Sequence, residues 1–159
     1  MDKIPFTLSG LEKIKSELSD LKKSERPKVI QAIAVAREHG DLKENAEYHA
    51  AKDKQSFIEG RITELEDVTS RAEVINLSKL SGETVTFGTK VKIVDEENDQ
   101  EIDYQIVGPY EANLELGLIS IASPIAKALI GKEEGTSVAV ATPGGTKYYE
   151  ILSIEIIQT

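Results

Sequence analysis

The chain has no cysteine, no tryptophan and few aromatic residues, which make up 5% of its 159 positions. The missing cysteine excludes a disulfide framework, a thiolate metal site and a thiol nucleophile, and it suits a reducing cytoplasm, the expected location. Histidine is scarce too: His39 and His49 are the whole supply, and two imidazoles with no cysteine to join them fall short of a zinc site. No apolar run approaches the ~20 residues of a membrane span, and Met1-Asp2-Lys3-Ile4-Pro5 lacks the basic-then-apolar order of a secretion signal. A soluble, unprocessed chain with no membrane attachment is expected. Basic residues are outnumbered, 19 Lys and Arg against 28 Asp and Glu, for a net charge of −9. That balance argues against a protein that coats nucleic acid through its phosphates, because such binding needs a basic surface.

The charge is unevenly spread. Up to Ala72, 13 Lys and Arg face 14 Asp and Glu, whereas from Glu73 onward 6 face 14. The hydrophobic period changes at the same place. Ser9-Gly10-Leu11-Glu12 fits a capping box that opens a helix. Leu11, Ile14, Leu18 and Leu21 then follow at the three-and-four spacing of a coiled-coil seam. Pro27 predicts a kink or short break near Ser24 to Pro27, after which Ile30, Ile33, Ala34 and Arg37 resume helical spacing. Gly40 supplies a left-handed terminator, and Asp41 can cap a second helix running to about Ser70. Its returning seam is Ala51, Ile58, Ile62, Leu65 and Val68. Two helices of roughly 28 residues, joined by a very short turn, must lie antiparallel as a rod on the order of 40 Å long.

From Glu73 the period is two. Strands are predicted at 73–77, 84–87, 90–94, 102–107, 118–121, 137–140 and 148–157, separated by turn residues such as Gly108-Pro109 and Pro143-Gly144-Gly145. Ser123 caps one short helix, Pro124 to Ile130, which Gly131 ends. The expected class is therefore α+β: a long antiparallel helical coiled-coil hairpin over residues 1–75, followed by a small antiparallel β-sheet domain with one short helix over residues 76–159.

Chemistry concentrates at the hairpin tip, Arg37-Glu38-His39-Gly40-Asp41-Leu42-Lys43-Glu44-Asn45-Ala46-Glu47-Tyr48-His49. Asp41-x-x-Glu44 has the spacing of a capping box with Asp as the cap, and acids in a first helical turn favour the macrodipole. The same spacing lets Asp41 and Glu44 share a divalent cation. Mg²⁺ requires near-octahedral oxygen coordination, so two exposed carboxylates make only part of a site, and a partner must bring the remaining ligands. Arg37 and Lys52 flank the tip as candidates for a phosphate contact or as solvated charges. Tyr48 is a further candidate that can also pack near the turn. Nothing places serine, histidine and aspartate as a nucleophilic triad.

The run Ala36-Arg37-Glu38-His39-Gly40-Asp41-Leu42-Lys43-Glu44-Asn45-Ala46-Glu47-Tyr48-His49-Ala50-Ala51, followed by Ser123-Pro124-Ile125-Ala126-Lys127-Ala128-Leu129-Ile130-Gly131-Lys132, resembles the bacterial transcript cleavage factor family of GreA and GreB. The resemblance spans essentially the whole chain. It implies an amino-terminal coiled coil that enters the secondary channel of RNA polymerase and a carboxy-terminal FKBP-like domain that docks on the rim. It also implies that Asp41 and Glu44 help hold the second Mg²⁺ of the polymerase active site, which activates water to cut the 3′ end of a backtracked nascent RNA. The chemistry is then the polymerase's, and the factor is an accessory with no cofactor of its own. A near-neutral front half is similar to the GreA branch rather than to the more basic GreB branch. The chain is expected to act as a monomer. Ser123, Pro124, Ile125 and Lys127 are proposed for polymerase docking, because an exposed Ser-Pro turn beside an apolar side chain offers a rigid edge; packing of Ile125 on the sheet is the alternative.

Two rival functions follow from the same residues. A prolyl isomerase would need an aromatic-lined pocket, for which the second half offers only Phe87, Tyr104, Tyr110, Tyr148 and Tyr149. A non-catalytic coiled-coil adaptor or polymerase inhibitor would use the tip acids as caps alone.

Overall fold

A computed structural model of the chain describes residues 2–40 and 45–157. The chain divides into two compact units, one formed by Leu11–Arg71 and the other by Asp2–Gly10 together with Ala72–Thr159. The α+β class stands, with the helical hairpin first and the sheet second.

In the hairpin, α1 (Leu8–Asp20) passes through a π-helical turn (Leu21–Glu25) into α2 (Arg26–Arg37), and α3 (Ala46–Ser70) returns. Ion pairs tie the first arm of the hairpin to the returning α3. Arg61 grips Glu17 through Nε and Nη2 at 2.7 and 3.1 Å, and Arg26 grips Glu59 through Nε and Nη2 at 2.8 and 2.9 Å. The break expected before Pro27 takes the form of the π turn. Arg26 donates its N–H to the Leu21 carbonyl, five residues back, and Pro27, which has no N–H to give, sits in the first turn of α2.

That turn corrects the expected seam. A π turn adds one residue to the helix and so rotates everything beyond it by ~100°. An unbroken heptad from Leu11, Ile14, Leu18 and Leu21 would continue at 25, 28, 32 and 35; shifted by one residue it continues at 26, 29, 33 and 36. Val29 and Ala36 are accordingly buried and Ile33 half-buried, whereas Ile30, Ala34 and Arg37 face solvent. Val29 packs with Ile58 and Ile62, flanked by Leu18 and Leu21. The returning face of α3 matches expectation, with Ile58, Ile62, Leu65 and Val68 all buried.

The start of α1 is also corrected. Its cap is Thr7, whose hydroxyl accepts from the Gly10 N–H at 3.1 Å, and not Ser9. The choice is made from 104 residues away: the Glu111 carboxylate accepts from the Thr7 N–H at 2.8 Å and from the Thr7 hydroxyl. Gly10 leaves room for it, since a methyl group there would overlap the Glu111 side chain.

The second unit holds two sheets. A strand absent from the sequence expectation, β1 (Ile4–Phe6), pairs in parallel with β2 (Ala72–Val74), which is why the first residues belong to this unit. Gly108 lets the chain pass β1, because any Cβ there would strike the Pro5 carbonyl. The main sheet contains β3 (Thr89–Asp95), β4 (Glu101–Val107), β5 (Leu118–Ser120), β6 (Ser137–Thr142) and β7 (Gly145–Ile156) in the order β5-β4-β3-β7-β6. It is antiparallel except at its edge, where β5 runs parallel to β4, a departure from the all-antiparallel sheet expected. Residues 84–87 form no strand; Val85 exchanges hydrogen bonds with Lys132 and Gly131 instead, beyond the short helix α4 (Pro124–Leu129). Val91, Ile93, Ile106, Ile119, Val138 and Ile151 of the sheet form one core with Ala126 and Leu129 of α4. No helix among the described residues is long and apolar enough to cross a membrane.

Candidate functional site at the hairpin tip

The end of α2 and the start of α3 build a narrow neck. At the end of α2, Glu38 and His39 donate their N–H groups back to Val35 and Ala36, and Gly40 adopts φ +110°, the positive value expected of a terminator. At the start of α3, Asn45 is extended (φ −85°, ψ 97°), its side-chain oxygen accepts from the Tyr48 N–H at 3.0 Å, and its carbonyl accepts from the His49 N–H at 3.1 Å. The side-chain nitrogen of Asn45 donates to the Ala36 carbonyl at 2.7 Å, tying the two helices together.

The expected metal ligands and catalytic candidates, Asp41 and Glu44, lie outside the described residues. Their surroundings nevertheless bear on their role. The second helix begins at Ala46 and not at Asp41, and the capping position is taken by Asn45. The first turn of α3 contains Glu47 as its acid. The cap reading of Asp41 for this helix is therefore corrected, since the N–H groups that a cap would satisfy are served from position 45.

The other candidates can be placed directly. Arg37 is the last residue of α2 and exposed; Lys52 is exposed on α3, with its ammonium 3.3 Å from the Gln55 side-chain oxygen. Tyr48 is half-buried on the seam side of α3, and its ring meets that of His49 edge to face at 5.6 Å. Among the described residues no group of three or more His, Asp and Glu could hold a metal ion. Asn45 was missed by the sequence reading although a signal was present: Asn is among the best caps, and it directly precedes Ala-Glu, a good helical start.

The docking candidates divide. Ser123 is the cap of α4: its hydroxyl accepts from the Ala126 N–H at 3.3 Å and donates to the Ser120 carbonyl at 2.7 Å. Ile125 is half-buried and packs against the core of the second unit, leaving Pro124 and Lys127 exposed. Leu114 and Leu116, which are 74% and 67% exposed, are larger apolar targets that the sequence reading did not single out. For the isomerase reading the aromatic residues are dispersed. Tyr149 and Phe87 are buried, Tyr104 packs against the core, Tyr148 is exposed, and a surface concavity is lined by Gly82, Glu83, Glu133 and Glu134.

Relatives match both halves of the chain. The family described as "Transcription elongation factor, N-terminal", of GreA and GreB, matches residues 4–74, and "Transcription elongation factor, GreA/GreB, C-term" matches residues 80–156. Transcription elongation factor GreA of Rhodospirillum rubrum is 60% identical over 97% of this chain and 98% of its own length. The protein of the same name from Ruegeria pomeroyi is 63% identical over 98% of this chain and 99% of its own. Among solved structures, that of GreA factor homolog 1 of Thermus thermophilus is 29% identical, covers 96% of this chain and 99% of that one, and superimposes with a TM-score of 0.44.

Proposed function

The chain belongs to the GreA/GreB family of transcription elongation factors, and on that premise we propose that it binds RNA polymerase and stimulates the polymerase's own cleavage of the 3′ end of backtracked RNA. The hairpin tip enters the secondary channel, and the second unit anchors the factor on the rim. The protein performs no reaction alone. Asp41 and Glu44 complete a Mg²⁺ site that the polymerase half supplies; carboxylate oxygens suit that ion, and two of them are too few to hold it unaided. When bound, the ion lowers the pKa of a water and neutralises charge that develops on the phosphate.

The observation that carries this reading is the capping of α3 by Asn45. With that position filled from residue 45, the cap of α3 does not call for Asp41. Arg37, Lys52 and Tyr48 border the tip as contacts to the RNA phosphates, Arg37 and Lys52 by charge and Tyr48 through its hydroxyl. Lys127 and Pro124 on α4 form the rim contact, with Ser123 and Ile125 holding that helix in place. The factor works as a monomer, one copy per channel.

The test is addition of the purified protein to a stalled, backtracked elongation complex carrying 3′-labelled RNA. Release of short labelled 3′ fragments, dependent on the factor, is expected. A complex that stays uncut, with the protein bound, would assign the chain to inhibitors or adaptors instead.

A further inference from the structure

The neck of the tip is closed by one side chain. At the end of α2 the Ala36 carbonyl accepts from the His39 N–H at 3.2 Å and has a lone pair to spare, and in the first turn of α3 the Tyr48 N–H is an orphan of the kind every helix terminus has. The Asn45 carboxamide serves both, donating to the first at 2.7 Å and accepting from the second at 3.0 Å. Ala36 is 2% exposed, and the Asn45 bond is a second, partly buried one on a carbonyl that His39 already meets, so its effect is to tie α3 to α2 and not to rescue a lone acceptor. Aspartate, serine and threonine can cap a helix as well as asparagine, but only a carboxamide of this length also offers an N–H to the opposite helix. The orientation of the amide is unambiguous, since one partner is a donor and the other an acceptor.

We propose that Asn45 is a positioning residue for the tip acids: it clamps α2 to α3 at the base of the segment that carries Asp41 and Glu44, so that both are presented to the partner site in one register. This rests on the function proposed above. A misplacement of about an ångström in a group that must meet a reacting centre can cost ~100-fold in rate, so a hinge at the base of a short segment matters well beyond its contribution to folding. The clamp adds no ligand and touches no substrate.

The experiment uses the full chain with Asn45→Asp, which retains the capping acceptor and loses the donor, and Asn45→Ser, which retains the acceptor on a side chain shorter than the carboxamide that spans to Ala36, alongside Asp41→Asn. Each variant is titrated into backtracked elongation complexes to obtain the maximal cleavage rate and the half-saturating factor concentration, and helical content is followed by circular dichroism. Asn45→Ser is expected to keep wild-type helicity and half-saturation while its maximal rate falls about fivefold, the factor that one net hydrogen bond contributes. Asn45→Asp should lose rate in the same way. Impaired Asp41→Asn with a wild-type rate for Asn45→Ser would overturn the clamp alone. A wild-type rate for Asp41→Asn would overturn the role of the tip acids, and the clamp with it. Loss of helicity in both Asn45 variants, or a change confined to half-saturation, would make Asn45 a structural or binding residue and likewise overturn the proposal.

Discussion

The π turn before Pro27 makes adjacent residues of α2 exchange roles, and the substitutions Val29→Ala and Ile30→Ala test it directly. Val29 is 2% exposed and Ile30 is 52% exposed. Truncating Val29 removes two buried methyl groups at ~0.8 kcal/mol each and leaves a small cavity beside Ile58 and Ile62. The better helix propensity of alanine returns a few tenths, for a net loss of about 1.5–2 kcal/mol. Ile30→Ala gives up half-solvated surface and gains the same propensity, so its effect should stay within ~0.5 kcal/mol of zero. Urea denaturation of the full chain, followed by helical circular dichroism at 222 nm, would compare the two at constant slope. An unbroken heptad puts neither residue in the seam and predicts similar, small losses for both. Equal losses, or a larger one for Ile30→Ala, would refute the one-residue shift.

Further predictions concern the charges and the caps. The Arg26 guanidinium, by hydrogen bonding and charge, holds the Glu59 carboxyl below its ordinary value of 4.5. A carboxyl depressed in the folded state stabilises above its unfolded pKa and loses that contribution as pH falls through the folded one. The hairpin should therefore weaken on acidification below about pH 4.5, and Arg26→Gln should flatten that slope in melts recorded across pH 2–6; an unchanged slope would exclude the pair as its source. Glu111→Ala should cost about 1–2 kcal/mol by leaving Thr7 without its two bonds. Gly10→Ala displaces the same side chain, so the double variant should be little worse than either alone, and additive losses in thermal melts would contradict a shared cause. Lys127→Glu should weaken polymerase binding with no change in melting, whereas unchanged affinity would move the rim contact off α4.

What could be read from the sequence depended on whether the deciding interaction was local. The change of period at Ala72, the helix opened by Ser123-Pro124 and the terminator at Gly40 are set by neighbours a few residues away, and each appears where expected. β1 was missed because three residues are too short for a period and their partner is β2, beyond the whole hairpin. Ser9 was the expected cap, and Thr7 takes its place because Glu111, 104 residues away, holds it there. Pro27 announced a disturbance, but the form of the disturbance and the rotated seam depend on the helix wall that α3 supplies. Residues 84–87 alternate like a strand, yet Val85 finds its partners beyond α4. At the tip, two residues suited to capping lay four apart; Asn45 prevails, and its carboxamide also meets the Ala36 carbonyl, which Asp41 as a carboxylate could not do.

The central claim is that the tip acids complete a shared cation site and do not serve as caps. It is tested most directly by measuring RNA cleavage in backtracked complexes with the Asp41→Asn, Glu44→Gln double variant over a range of Mg²⁺ concentrations. With α3 capped by Asn45, the double variant should melt within ~0.5 kcal/mol of the wild type and still bind polymerase. It should cleave slowly at limiting Mg²⁺ and recover part of its rate as Mg²⁺ is raised, because mass action refills a weakened site. Wild-type cleavage at limiting Mg²⁺ would contradict the account.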